Sequence, residues 1–454
     1  MRIASFSRLP FFAAFVFLCC SVSALAGDAA LAPTPPMGWN SWDSYGRMIT
    51  EEQFRATADW MAAHLKSYGW QYVVNDDGWY VLNVEEDSKD STFLLDSNGR
   101  FVPVATRYPS AADGAGFKPI ADYVHSLGLK FGIHMIRGIP REAVANNLPI
   151  ADSAFHAADA ADQSDPCPWN TYNWGVRNNE AGQAYYDSIA RLYASWGVDF
   201  IKADCISAHP YKADEIRMLH DAIKKSGRGM VLSLSPGPTS LDHADEVAKN
   251  AEMWRICDDF WDHWGPWKDH DWSQSLYRQF ATTARWAPYV GRGNWPDADM
   301  LPLGRLGPSP GAGEPRNTLL TKDEQRTMMT LWSVFRSPLI MGGDLLSADE
   351  WTTSLLTNSE VIAVDQHSHD NHAVITSDTV AVWVARPESG DGYYVAVFNI
   401  GDSEQTIRYK WEGLELPAAK YNVRDLWEGK DLKAAKELTV KLAPHASVLY
   451  RVEK

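Results

Sequence analysis

Short apolar runs that end in polar or glycine-rich residues recur along the first three quarters of the chain. The eight runs are Met37–Trp42, Tyr72–Asp76, Lys130–Met135, Phe200–Asp204, Met230–Ser235, Met253–Cys257, Asn294–Met300 and Leu339–Met341. Amphipathic segments lie between them; one begins at Thr50, which has the spacing of a capping box with Gln53, and another covers residues 182–196. Apolar strands that alternate with helices predict an α/β fold, a parallel (β/α)₈ TIM barrel over residues 27–364.

The pattern changes near residue 365, where apolar and polar residues begin to alternate one by one. The segments TVAVWVA, YYVAVFNI, LTVKLAP and ASVLYRV show this alternation and are separated by glycine, aspartate and asparagine turns. A period of two is typical of strands with one buried face. Residues 365–454 are therefore expected to form a C-terminal antiparallel β-sandwich that packs on the barrel, rather than an independent carbohydrate-binding module.

The N-terminus has the pattern of a secretory signal peptide. Two arginines precede an apolar block, residues 11–18, and the small residues Ala24 and Ala26 lie at the −3 and −1 positions of a cleavage site. The apolar block is shorter than the roughly 20 residues that a membrane-spanning helix needs. Residues 1–26 are expected to be removed after Ala26, which predicts a secreted or periplasmic protein.

Composition narrows the classes of partner. The formal net charge is −16 at pH 7, and a surface this acidic repels phosphate backbones and anionic lipids, so nucleic-acid and membrane partners are not expected. The three cysteines after the leader, Cys167, Cys205 and Cys257, are too few and too widely spaced for a disulfide scaffold or a zinc knuckle, although one disulfide is compatible with export. No histidine pair with metal-ligand spacing coincides with the strand ends, so neither a metal nor another cofactor is expected.

Polar and aromatic residues occupy the C-terminal ends of most predicted strands. They are Trp39, Trp42, Asp76, Asp77, His134, Lys202, Asp204, Arg255, Asp258, Asp259, Asp297 and Asp299. Because the loops after the strands of a (β/α)₈ barrel converge at one face, these side chains are expected to line a common site. Many carboxylates among aromatic residues favour glycoside hydrolysis, in which one carboxylate attacks the sugar and another protonates the leaving oxygen.

Lys202 and Asp204 are two residues apart on the fourth predicted strand, so both should point into the barrel mouth. A lysine beside Asp204 would lower the pKa of its carboxyl, which suits a nucleophile, and the same lysine could donate to a sugar hydroxyl. The alternative interpretation is a buried ion pair that only braces the barrel.

Five blocks of the sequence together resemble a known family. PPMGWNSWDSYG, NDDGWY, FIKADC, MWRICDDFWDHW and PDADMLPLG are similar, in order and spacing, to the signature blocks of glycoside hydrolase family 27, the α-galactosidase or melibiase family. The similarity extends from Pro35 to about Val364 and continues into the β domain. It implies a (β/α)₈ barrel, a retaining mechanism and no metal.

The resemblance also implies roles for individual residues. Asp204 matches the catalytic nucleophile, and Asp259 matches the acid/base, because the family has tryptophan and arginine, three further residues and then aspartate. Asp258 is the neighbour that could be mistaken for it. Asp259 must carry a proton when substrate arrives, and the aromatic residues Trp254, Phe260 and Trp261 are expected to desolvate it. The implied sugar contacts are Asp76 and Asp77 to the 4- and 6-hydroxyls, Lys202, Arg255 and Asp299 to further hydroxyls, and Trp39 as the stacking platform.

Three positions depart from the family pattern. Ser235, in SLSPGP, stands near the place where well-known members carry Cys-Glu-Trp, whose glutamate contacts the 2-hydroxyl. His134 replaces a tyrosine on the third strand. Cys205 directly follows the nucleophile, whereas the family cysteine comes two residues after it, so a Cys167–Cys205 disulfide is compatible with the resemblance without being implied by it.

These observations favour a secreted, retaining exo-glycoside hydrolase that releases terminal α-D-galactose from oligosaccharides or polysaccharide side chains. Other activities of the family remain alternatives: α-N-acetylgalactosaminidase, β-L-arabinopyranosidase and isomalto-dextran hydrolase. A catalytically silent sugar-binding protein is the alternative from another class, but such a protein is expected to lose Asp204 or Asp259. A retaining mechanism predicts that these two carboxyl groups lie about 5–5.5 Å apart.

Overall fold

The computed structural model describes residue 1 and residues 30–84, 91–266, 273–291, 293–307 and 314–454. The predicted signal peptide lies almost entirely outside these residues, so it stays an expectation. Across the described part of the chain, no helix has the length and apolar character that crossing a membrane requires.

Eight parallel strands form the barrel. They are β1 (Met37–Asn40), β2 (Tyr72–Asn75), β3 (Lys130–Ile136), β4 (Phe200–Asp204), β5 (Val231–Leu234), β6 (Met253–Arg255), β7 (Trp295–Asp297) and β8 (Leu339–Met341). Strands β1 to β7 are neighbours in chain order and β8 pairs with β1, while a parallel bridge between Leu301 and Met341 joins the two ends. The predicted (β/α)₈ barrel is confirmed. The strands lie between core and helices, which explains why they are nearly continuous apolar runs.

Helices follow the strands on the outside of the barrel. They are α1 (Glu51–His64), α2 (Lys118–Ser126), α3 (Glu180–Trp196), α4 (Ala213–Ser226), α5 (Ala244–Asn250), α6 (Leu276–Trp286), α7 (Lys322–Phe335), α8 (Glu350–Leu356) and α9 (Ser359–Gln366). The capping box predicted at the start of α1 is present, since Gln53 N donates to Thr50 Oγ1 and Thr50 N donates to Gln53 Oε1. Shorter helices cover Trp42–Tyr45, Arg141–Ala145 and Ala157–Ala160.

A small antiparallel sheet that the sequence did not predict lies between β3 and α3. Its strands are Ile139–Pro140, Ala161–Pro166 and Asn173–Val176. We call residues 161–176 the strap. A Cys167–Cys205 disulfide, with Cα atoms 6.1 Å apart, joins the strap to the residue that follows β4. The strap is therefore attached directly beside Asp204.

The C-terminal domain is the predicted antiparallel β-sandwich. Its strands are β9 (Ser368–Thr376), β10 (Val380–Pro387), β11 (Tyr393–Asn399), β12 (Gln405–Lys410), β13 (Tyr421–Asp425), β14 (Lys430–Ala435), β15 (Glu437–Leu442) and β16 (Ser447–Glu453). Six of them form one sheet, and β12 pairs with β15 in the other.

The sandwich packs on α7 and on the loop after β6. Thr327 Oγ1 donates to the His445 carbonyl over 2.7 Å, and Trp427 Nε1 donates to Thr330 Oγ1 over 2.9 Å. The His445 ring also stacks on Trp264, with ring centres 3.9 Å apart. The two domains thus share a packed interface.

Candidate active site

Residues from seven of the eight strands line a cavity inside the barrel. Its lining includes Asn40 at the end of β1, Lys202 on β4, Ser235 after β5, Arg255 on β6 and Asp299 after β7. Four of these residues were predicted site residues. Asn40 was missed, although it occupies a strand end within the quoted GWNSW block.

Asp76 and Lys202 form a buried ion pair in this site. Lys202 Nζ donates to Asp76 Oδ2 over 2.8 Å, and Asn40 Nδ2 donates to the same oxygen over 2.6 Å. Asp76 is 2% exposed. Burial would raise the pKa of Asp76, but the charges of Lys202 and His134 outweigh it and hold that pKa at about 2. Asp76 is therefore an ionised, fixed hydrogen-bond acceptor.

Asp204 lies against His134, which comes from the neighbouring strand β3. His134 Nε2 is 3.5 Å from Asp204 Oδ2, and Cys205 N donates to Asp204 Oδ1 over 2.8 Å. Burial raises the pKa of Asp204, but His134 and then Lys202 outweigh it and lower that pKa below its ordinary value. Lys202 therefore favours ionised Asp204 as predicted, although its direct hydrogen bond goes to Asp76.

His134 is buried among three carboxylates. Burial lowers the pKa of His134, but the charges of Asp76 and Asp204 outweigh this effect and raise it. Its Nδ1 atom lies 3.8 Å from Asp77 Oδ1 and has no hydrogen-bond partner among the described residues. A cationic imidazole in this position favours the ionised form of the surrounding acids.

Asp77 is held from the opposite side by a tyrosine. Tyr80 Oη donates to Asp77 Oδ1 over 2.7 Å, and Arg47 Nε lies 3.7 Å from Asp77 Oδ2. The Tyr80 hydroxyl is in turn 2.8 Å from the hydroxyl of Tyr172, which belongs to the strap. Tyr80 follows the predicted Asp76-Asp77 pair in NDDGWY, so its position was visible in the sequence although its role was not.

Arg255 connects two of the predicted acids. Its Nη2 atom lies 2.6 Å from Asp299 Oδ2 and 3.1 Å from Asp259 Oδ1. Phe260 N also donates to Asp299 Oδ2 over 2.7 Å. Burial raises the pKa of Asp299 despite the opposing charge of Arg255. Arg255 thus joins an acid that follows β6 and an acid that follows β7 in one ion-pair network.

Asp258 and Asp259 point to different partners. Asp258 Oδ1 lies 2.9 Å from His209 Nε2, whereas Asp259 faces Arg255. The Asp259 side chain is 48% exposed, so neighbouring aromatic side chains do not enclose it. The expectation that Trp254, Phe260 and Trp261 desolvate it is wrong for this structure, because those rings are themselves packed into the core.

Trp39 is part of the core, which contradicts its predicted role as a stacking platform. Its side chain is 0% exposed, its Nε1 atom donates to the Gly343 carbonyl over 2.9 Å, and its ring packs 6.2 Å from Phe54. Trp42, three residues later, begins the short helix after β1 and is only half-buried. Of these two tryptophans, Trp42 is therefore the one whose indole ring is partly exposed.

Ser235 is buried directly after β5, where its backbone is hydrogen-bonded to the end of β4 and to the loop that follows β4. Ser235 N donates to the Ala203 carbonyl, and Ile206 N donates to the Ser235 carbonyl. This position in the cavity wall agrees with the place predicted for it, while its contact with a sugar 2-hydroxyl stays a prediction.

Asp43 is an acid that the sequence analysis missed. It is buried, its Oδ2 atom has no hydrogen-bond partner among the described residues, and burial raises its pKa well above the ordinary value.

Within the described residues, no group of three histidines, cysteines or acids has the geometry to hold a metal ion.

Two family models match the chain. The α-galactosidase A model matches residues 34–143 and 177–367, and the model of the α-galactosidase C-terminal β-sandwich domain matches residues 377–452. Residues 144–176, which contain the strap, lie outside the first match.

Proteins with two different named activities are similar to this chain. The α-galactosidase of Coffea arabica is 31% identical over 426 residues, which cover 92% of this chain and 94% of the relative. Human α-galactosidase A is 28% identical over 397 residues, with coverage of 83% and 76%. A crystal structure of a β-L-arabinopyranosidase from Geobacillus stearothermophilus is 46% identical, with a TM-score of 0.88 and coverage of 93% and 97%. The chain accordingly belongs to glycoside hydrolase family 27.

Proposed function

We propose that this glycoside hydrolase is a retaining exo-α-galactosidase that releases terminal α-D-galactose from oligosaccharides or polysaccharide side chains. The main support for this proposal is the pair of acids at the end of β2, Asp76 and Asp77. Asp76 is ionised and fixed by Lys202 and Asn40, and Asp77 is fixed by Tyr80. Adjacent acceptors suit a sugar with an axial 4-hydroxyl and a free 6-hydroxyl, as galactose has.

The reaction requires two carboxyl groups with different tasks. Asp204 attacks the anomeric carbon, and Asp259 gives its proton to the leaving oxygen; water, deprotonated by Asp259, then hydrolyses the glycosyl-enzyme. The lowered pKa of Asp204 keeps the nucleophile ionised. Because Asp259 is partly exposed, it is accessible both to the leaving group and to the incoming water.

A second candidate function is hydrolysis of β-L-arabinopyranosides. It is favoured by the 46% identity with the Geobacillus stearothermophilus enzyme, which exceeds the 31% identity with the Coffea arabica α-galactosidase. A β-L-arabinopyranoside has the ring configuration of an α-D-galactopyranoside but lacks the hydroxymethyl group on C5. The two activities therefore differ in what the site does with that one substituent.

The test is a comparison of kcat/KM for three nitrophenyl glycosides: α-D-galactopyranoside, β-L-arabinopyranoside and α-N-acetylgalactosaminide. We expect the α-galactoside to be the best substrate and the initial product to be the α-anomer by NMR. Asp204→Asn should abolish hydrolysis of all three, while the matched neighbour variant Asp258→Asn should retain it. A preference for the arabinoside would establish the second candidate, and preference for the acetamido sugar would overturn both.

We also propose that residues 1–26 direct export. A disulfide between Cys167 and Cys205 supports this, because such bonds persist in oxidising compartments. Mass spectrometry of the secreted or periplasmic protein should give an N-terminus at Gly27. An intact N-terminus in the cytoplasmic fraction would contradict export.

A further inference from the structure

We infer that Tyr172 and Tyr80 are positioning residues that hold the Asp77 carboxylate, and that this hydrogen-bond chain gives the site its discrimination at C5 of the sugar. The inference rests on the proposed function, and within the Asp76-Asp77 pair it assigns the 6-hydroxyl of galactose to Asp77. It adds a part of the molecule, the strap, that lies outside the family match to the barrel.

The chemistry of the groups fixes the direction of the hydrogen bonds. A carboxylate only accepts, so the single Tyr80 hydroxyl proton goes to Asp77 Oδ1, over 2.7 Å. Tyr172, 2.8 Å away, must therefore donate to the Tyr80 oxygen. Burial raises the pKa of both tyrosines, so both remain protonated at neutral pH. The chain runs from the strap to Asp77 in one direction.

Packing leaves these rings little freedom. Tyr80 is fully buried and stacks on Phe101 with ring centres 4.0 Å apart, and Tyr172 packs on Phe93 at 4.2 Å. Among the residues that the structure describes, the other charged groups near the Asp77 carboxylate are farther away, Arg47 at 3.7 Å and a His134 nitrogen at 3.8 Å. Tyr80 consequently has the strongest influence on the orientation of this carboxylate.

The strap that carries Tyr172 is tied to the nucleophile strand. Its Cys167 is bonded to Cys205, and its Asp165 pairs with the buried Arg137 over 3.2 Å. The carbonyl of that arginine accepts from Asn173 Nδ2 over 3.0 Å. Tyr172 is thereby held in a fixed relation to Asp204, so the strap links the residue that recognises the sugar to the residue that attacks it.

The consequence for specificity follows from the two substrates. Only the galactoside places a hydroxyl beside Asp77, because the arabinopyranoside has hydrogen in place of the hydroxymethyl group. Loss of the tyrosine chain should therefore weaken binding of galactose and leave arabinose almost unaffected. A loss of one well-oriented hydrogen bond corresponds to about a tenfold change in affinity.

The experiment compares Tyr172→Phe and Tyr80→Phe with the wild type and with Tyr193→Phe, a buried tyrosine on α3 outside the site. Calorimetry gives the Kd values of free D-galactose and free L-arabinose, and kinetics gives kcat and KM on both nitrophenyl glycosides. We expect the Kd for galactose to rise about tenfold in the first two variants, with less than a twofold change for arabinose and no change in Tyr193→Phe.

The outcomes separate the inference from the proposed function. Equal weakening of both sugars, or no weakening in Tyr172→Phe, would overturn the inference, as would a wild type that binds both sugars equally well. Absence of turnover on every glycoside in the wild type would remove the proposed function, while the binding ratios would still decide the role of the two tyrosines.

Discussion

Replacing Lys202 with methionine should reveal how much the protein depends on the buried pair with Asp76. Methionine keeps most of the volume of the lysine and removes its charge. Asp76 would then be left as a buried carboxylate whose nearest cationic partner is gone, and breaking one side of such a pair costs about 3–5 kcal/mol of folding free energy. Asn40 would still donate to Asp76 Oδ2, so we expect the lower end of this range.

The pH dependence gives a second, independent magnitude. In the folded protein the pKa of Asp76 is about 2, against an ordinary value of 3.8. Such a difference corresponds to about 2–3 kcal/mol, because one pKa unit is worth about 1.4 kcal/mol. Since the folded pKa is the lower one, the stabilisation is present above pH 4 and is lost as the pH falls towards 2. In Lys202→Met burial should raise the pKa of Asp76, so acidification from pH 7 should stabilise the variant relative to the wild type.

Urea unfolding at pH 7, 5.5, 4 and 3 measures both effects. The double variant Lys202→Met/Asp76→Asn removes the unpaired charge and should recover most of the lost stability. Lys130→Met, which alters a lysine at the start of the neighbouring strand β3, is the matched control. If Lys202→Met unfolds at the wild-type midpoint at pH 7, or if the double variant is no more stable than the single one, the Lys202–Asp76 pair does not stabilise the protein in this way.

Three further predictions concern catalysis. Azide should partly restore the activity of Asp259→Ala on a nitrophenyl substrate and give a glycosyl azide of retained configuration by NMR. In Asp204→Ala, azide could yield only the opposite anomer. Full activity of Asp259→Ala on an oligosaccharide, together with loss of activity in Asp258→Ala, would assign the acid/base to Asp258. In His134→Gln the pKa of Asp204 should rise, which moves the acidic limb of the kcat/KM profile to higher pH, and an unchanged limb would contradict the role of His134. A crystal structure should show the carboxyl groups of Asp204 and Asp259 about 5–5.5 Å apart, and a separation near 9 Å would indicate inversion.

The strands of the barrel were readable from the sequence because their burial makes them continuous apolar runs. The prediction for Phe200–Asp204 agrees with β4 at both ends, and Leu339–Met341 agrees with β8. The strap was not readable, because its strand Ala161–Pro166 consists mainly of polar and acidic residues. Its conformation depends on contacts with Cys205 and Arg137, which lie far away along the chain.

Partners of side chains were harder to predict than positions. The alternation along β4 correctly placed Lys202 and Asp204 together, but the hydrogen bond of Lys202 goes to Asp76 on β2, and strand periodicity carries no information about contacts between strands. The error at Trp39 has a similar cause. Two tryptophans three residues apart both fit the end of β1, and only the packing around them shows that Trp39 is enclosed.

The stacking of His445 on Trp264 bears on how this two-domain architecture can evolve. Trp264 lies five residues after Asp259, in the loop that carries the candidate proton donor, and His445 also contacts Glu324 over 2.7 Å. A recombination event that replaced the β-sandwich with an unrelated module would remove the His445 ring that packs on Trp264 in that loop. The barrel and the sandwich should therefore be inherited together as a single unit. Chimaeras that retain activity should be those in which His445 and Trp264 are exchanged together.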